Sequence, residues 1–205
     1  MFDPALFGSV FATLLSIPRD PSLGPGIPTA AASPYLQGMT LERAFAGCPV
    51  TDRGMAEACL AGLWLYHNHL DDSHRISQSI AGSTGSFWHG ILHRREPDAW
   101  NSNYWFERVG VHPVYPLLNR EAASLARQRG GDLPAAARFL TEQTAWNPRR
   151  FIDLCETARS GQSDTTSLCL QIQDAEWWLL FDYCYVQTGG NRRATPPVGA
   201  GHRRM

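Results

Sequence analysis

The sequence predicts an all-α protein, an irregular bundle of six to eight helices with a proline-rich N-terminal meander. Apolar residues recur at three- and four-residue spacing, as in Cys59, Leu60, Leu63 and Trp64. Helix starts and stops recur too. Asp3-Pro4 and Asn147-Pro148 read as caps followed by a first-turn proline, and Gly47, Gly161 and Gly189 read as stops. No segment alternates strongly enough for a sheet, and no repeat of fixed period occurs.

Taken in order, Asp3 caps a helix over residues 1–17 with an apolar stripe of Leu6, Val10 and Leu14, ended by Pro18. Residues 18–39 hold five prolines and several glycines and read as a surface linker without regular structure. The helical domain then spans 40–190. Thr40 caps a short helix to Ala46. Thr51 opens a long helix to about Ser79, whose face passes from Cys59, Leu60, Leu63 and Trp64 to His67, Asp71 and His74. After the turn at residues 82–85, Ser86 caps a helix carrying His89 and His93. Pro97 stops it, because the residue before proline resists the helical conformation. Asp98 opens the next helix, through Trp100, Tyr104, Trp105 and Val109. Helices over Leu117–Gln128, Pro134–Gln143 and Pro148–Arg159 follow. The last long helix starts at Thr165 or Thr166 and ends at Gly189-Gly190. Its EWWLLFDYCYV segment is apolar on nearly every side, which predicts a central position. Residues 191–205 read as a disordered basic tail.

Composition excludes several functions. All 18 basic residues are arginine, so lysine Schiff bases and P-loop lysines are impossible. The net charge is −1, and the tail alone carries four arginines without a carboxylate, so nothing favours nucleic acid as a partner. The apolar run Ala5–Ile17 is too short to span a membrane and lacks a basic segment before it. Five cysteines with apolar neighbours and no CxxC fit buried thiols in a reducing compartment, so a cytoplasmic location is expected.

Residues 60–109 hold five of the seven histidines and four of the seven tryptophans. Imidazole is a metal ligand or a base near neutral pH, and a carboxylate one turn away orients it. His67, His74, His89 and His93 are therefore candidate ligands for a divalent metal (zinc, iron or manganese), with Asp71 beside them. HGILH has Gly90 where a zinc protease helix needs its glutamate, which excludes that class. No GxSxG, GxGxxG or Walker loop occurs. Arg94 and Arg95 are candidate holders of an anionic group. Trp88, Tyr104 and Trp105 are candidate ligand-lining rings. Glu176 lies in the apolar last helix, where a carboxylate needs a partner. It is expected to pair with Arg94 or Arg95, or to serve the histidines as a general base.

The segments LDDSH, GSFWHGILHRREPD and YWFERVGVHPV resemble a family of small bacterial and fungal helical proteins of unassigned function. The resemblance implies a shared fold and no particular activity. The residues thus predict a small-molecule enzyme with a histidine-rich pocket between two helices, doing metal-assisted or proton-transfer chemistry on a small substrate. The alternative is a non-catalytic binding or interaction protein whose histidines are structural. The oligomeric state is not encoded in any feature of the sequence.

Overall fold

In the computed structural model, which describes residues 3–129, 132–162 and 164–189, helices follow one another with no strand among the described residues. A 3-10 turn at Pro4–Leu6 precedes α1 (Ser9–Leu15), α2 (Ser33–Leu36), α3 (Leu41–Ala44), α4 (Arg53–Tyr66), α5 (Leu70–Ser77) and α6 (Ser83–Arg95). Then come α7 (Ala99–Val109), α8 (Tyr115–Gln128), a 3-10 turn at Ala135–Ala137, α9 (Phe139–Glu142), α10 (Pro148–Arg159) and α11 (Thr166–Gln187). The all-α class is as predicted. The eleven α-helices among the described residues exceed the six to eight expected, and α2, α3 and α9 are single turns of four residues. The predicted tail lies outside the described residues.

Capping places most helix starts. The side chains of Asp3, Thr40, Asp52, Asp98 and Asn147 each accept a backbone N–H of the turn they open. Ser86 does not cap α6. The helix begins earlier, after Gly82 at φ 94°, and the Ser86 hydroxyl donates back to the Gly82 carbonyl. The predicted first helix is divided at Gly8, whose N–H donates to the Tyr185 hydroxyl at 2.9 Å. The segment 134–143 is likewise divided, into a 3-10 turn and α9.

The central position of α11 follows from its pattern: it packs against α4, α8 and α10. Trp177, Phe181 and Tyr185 bury one side of it, with Phe7 and Phe11 from the N-terminal segment edge-on to Phe181. The α6–α7 pair is a close antiparallel hairpin. Gly90 makes that approach possible, since a Cβ there would stand 2.8 Å from the Phe106 ring.

The largest departure from expectation is the break between α4 and α5. The apolar face runs on without glycine or proline, yet the helix stops at Tyr66. Asn68 takes a left-handed φ of 63°, a conformation asparagine tolerates, and its amide donates to the carbonyls of Asp20 and Ile27. The meander is thus held at its crossing of the helical body. Arg95 is buried here and donates to the Gly24, Pro25 and Leu65 carbonyls and to the Asn68 side-chain oxygen. Gln173 and Arg159 add bonds to the Ser22 and Leu23 carbonyls. Residues 18–32 are irregular as expected, but the end of the stretch is not. Pro34 starts the single turn α2, which buries Leu36. We expect Arg95→Lys, with three donors and no planar fork, to cost on the order of 2 kcal/mol. Protease cleavage within residues 18–31 should rise with it. Unchanged cleavage would mean that the prolines alone hold the strap.

Candidate metal centre

Three histidines converge. His74 on α5 meets His89 and His93 on α6, and one nitrogen from each lies within 4.8 Å of the others. The His89 and His93 rings stack with centroids 4.8 Å apart, one helical turn from each other. His74 stands edge-on to both, at 4.5 Å and 5.4 Å. An ion bound at about 2 Å by each nitrogen would hold them about 3.4 Å apart, so small ring rotations close the set.

The surroundings suit metal ligation. Burial lowers the His89 pKa to about 3, and His74 and His93 add to the effect. His93 is also lowered, chiefly by burial and against the pull of Glu96. Both rings therefore present lone pairs at neutral pH, the form a metal requires. The His93 Nδ1 lies 2.9 Å from a Glu96 carboxylate oxygen. The two are close in charge terms only, because the His93 Nδ1 is buried without an aligned hydrogen-bond partner, as the His89 Nδ1 is. Trp105 lies flat against the His89 ring, with centroids 4.0 Å apart and planes 15° apart. His74 is only half-buried, so the cluster opens to solvent on the α5 side.

The remaining predicted site residues lie elsewhere. His67 stands outside the three-histidine group. The break after Tyr66 turns it toward α1, where its Nε2 donates to the Leu14 carbonyl at 3.1 Å. Asp71 is exposed and stands outside the cluster. Arg94 and Glu176 are both fully buried and pair with each other, so neither faces a ligand. Arg95 is committed to the meander. Trp88 is a core residue, close enough to Gly62 that a Cβ there would stand 2.7 Å from its ring. Tyr104 and Trp105 do lie beside the cluster, edge to face at 5.3 Å. Two neighbours were missed as site residues: Glu96, three residues after His93, and Arg108, four after Tyr104. Helical spacing was the available signal for both.

The roomier clefts lie away from these histidines. One of about 620 Å³ runs between α8 and α11, lined by Leu117, Arg120, Asp174 and Trp178 among others. Another of about 380 Å³ lies beside α1 and α3, lined by Val10, Tyr35, Met39 and Arg43. Volume alone favours the first, but no histidine or cysteine enters either. The histidine cluster has the convergent, electrostatically tuned groups on which chemistry depends. No helix among the described residues is long and apolar enough to cross a membrane. No family profile, curated protein or solved structure matches the chain.

Proposed function

We propose that the protein is a metal-dependent enzyme acting on a small molecule, with His74, His89 and His93 holding one divalent cation. The convergence of three imidazoles from two helices carries this reading. A ligand set of neutral imidazoles suits zinc or iron better than manganese, which prefers oxygen. When bound, such an ion supplies Lewis acidity and lowers the pKa of a bound water to about 7. Three protein ligands leave a position open for that water, which favours hydrolysis as the reaction class. The chain's own part is positional. Glu96 stands beside His93, and Trp105 backs the His89 ring plane.

Elemental analysis and zinc titration of the purified full chain test this. One ion per chain is expected, with stoichiometric binding lost in His89→Ala and in His93→Ala. Asp71→Asn should leave binding unchanged. Hydrolysis of 4-nitrophenyl esters or phosphates, where found, should disappear on dialysis against a chelator and return with zinc. A protein that binds no zinc, iron or manganese, or histidine variants that bind as well as the parent, would overturn the proposal.

A further inference from the structure

Four rings run in sequence from the histidine cluster into solvent. Trp105 stacks on His89 at 4.0 Å, Tyr104 meets Trp105 at 5.3 Å, and Trp100 stacks on Tyr104 at 6.2 Å with planes only 8° apart. The outer two are unusually open, Trp100 at 76% and Tyr104 at 43% exposure. Trp100, Tyr104 and Arg108 follow at four-residue steps on one face of α7. The Arg108 guanidinium carbon lies 5.6 Å from the Tyr104 ring centre and 5.5 Å from that of Trp105. Among the described residues its one hydrogen bond is a 3.4 Å contact to the Tyr104 hydroxyl, and it forms no ion pair. Arg94 is spent on Glu176 and Arg95 on backbone carbonyls, so Arg108 is the arginine beside the site with donors to spare.

We infer that the substrate of the histidine site is a planar aromatic anion, its ring stacked on the Trp100–Tyr104 face and its acid group held by Arg108. The inference rests on the proposed metal centre only for where the reacting bond would lie. These flat, exposed rings offer stacking area that none of the described residues covers. A planar guanidinium beside Tyr104 and Trp105 matches a carboxylate, phosphonate or phosphate bidentately. The pairing also fits the cluster: an acid group at Arg108 lies beside Trp105, the ring that backs His89.

Calorimetric titration of the full chain with phenylphosphonate and methylphosphonate, each with and without zinc, tests this. Phenylphosphonate is expected to bind about fivefold more tightly than methylphosphonate. Trp100→Ala should erase that ring preference. Arg108→Gln should weaken both ligands about tenfold, as loss of a charged hydrogen-bond donor does. Zinc stoichiometry should stay as in the parent for both variants, since neither residue is a ligand. Tyr104→Ala repeats the ring test should Trp100→Ala fold poorly by circular dichroism. Equal affinity for the two phosphonates, no binding of either, or variants indistinguishable from the parent would overturn the inference. So would a dimer that Trp100→Ala dissociates, which would give this face to a second copy of the chain. If the parent takes up no zinc, the metal proposal fails alone, and the zinc-free titrations still decide this one.

Discussion

Glu176→Gln is expected to destabilise the fold by about 3 kcal/mol or more, by stranding a buried guanidinium. Arg94 and Glu176 are each 0% exposed. Arg94 Nη1 donates to one carboxylate oxygen at 3.3 Å, and Nη2 makes a closer contact to the other. The guanidinium carbon lies 4.7 Å from the Phe151 ring centre and 6.0 Å from that of Phe106, so its faces meet carbon and not water. Burial is the largest influence and opposes the charge on Arg94, but Glu176 together with the nearby Cys155 and Cys169 raises the Arg94 pKa overall. Arginine cannot escape by losing its proton, so the uncharged amide leaves the full desolvation penalty standing. The double variant Glu176→Gln with Arg94→Met removes both charges and is expected to be more stable than Glu176→Gln alone. Urea denaturation of the parent and the two variants measures this. A single variant within about 0.5 kcal/mol of the parent would show that water reaches the pair.

The fold is also expected to lose stability steeply as pH falls from about 6.5 towards 4, in good part because of two histidines outside the cluster. His67 and His112 are both fully buried, and burial lowers each pKa to about 4. The His67 Nε2 proton is committed to the Leu14 carbonyl, and its Nδ1 has no partner, so a second proton would create an isolated buried charge. His112 uses Nδ1 to accept the Val114 N–H at 3.2 Å, which leaves Nε2 as the donor to the Thr84 hydroxyl at 3.2 Å. Protonating Nδ1 would break the first of these bonds. The sign follows from linkage. The folded state binds fewer protons than the unfolded chain, in which histidine titrates near 6.5, so stability rises with pH. The stabilisation is complete above the unfolded pKa. It is lost as pH drops through 6.5 until the folded pKa near 4 is reached. Each histidine contributes a slope of about 1.4 kcal/mol per pH unit in that window. Chemical denaturation at pH 7, 6 and 5 should show the loss, and His67→Gln should reduce the slope by about one proton. Stability that stays flat from pH 7 to pH 5 would mean that water reaches both imidazoles in the folded protein.

Local chemistry alone determined the helical class and most helix boundaries. A carboxylate, amide or hydroxyl at Asp3, Thr40, Asp98 and Asn147 satisfies orphan N–H groups of its own turn, so its effect is readable from neighbouring letters. The same holds for the His89–His93 pair, because a four-residue step places two rings on one face of any helix. The central place of α11 was readable as well, since a segment apolar all round has no face to give to water.

Tertiary structure decided which histidines meet. Periodicity carried one face unbroken from Leu63 through His67 to His74, and no local residue forbids that helix. The break at residues 67–69 is stabilised instead by distant groups, the Asp20 and Ile27 carbonyls on the Asn68 amide and the Leu14 carbonyl on His67. That break separates His67 from His74 and turns α5 so that His74 lies over α6. The fates of the arginines were settled in the same way. Arg94, Arg95 and Arg108 are alike as letters, but one meets a buried carboxylate, one a strap of carbonyls, and one the rings of Tyr104 and Trp105. Those partners lie tens of residues away for the first two, so only the packed chain assigns them. A single helical turn separates Arg108 from Tyr104. That it forms no ion pair among the described residues was still legible only once the neighbouring helices were in place.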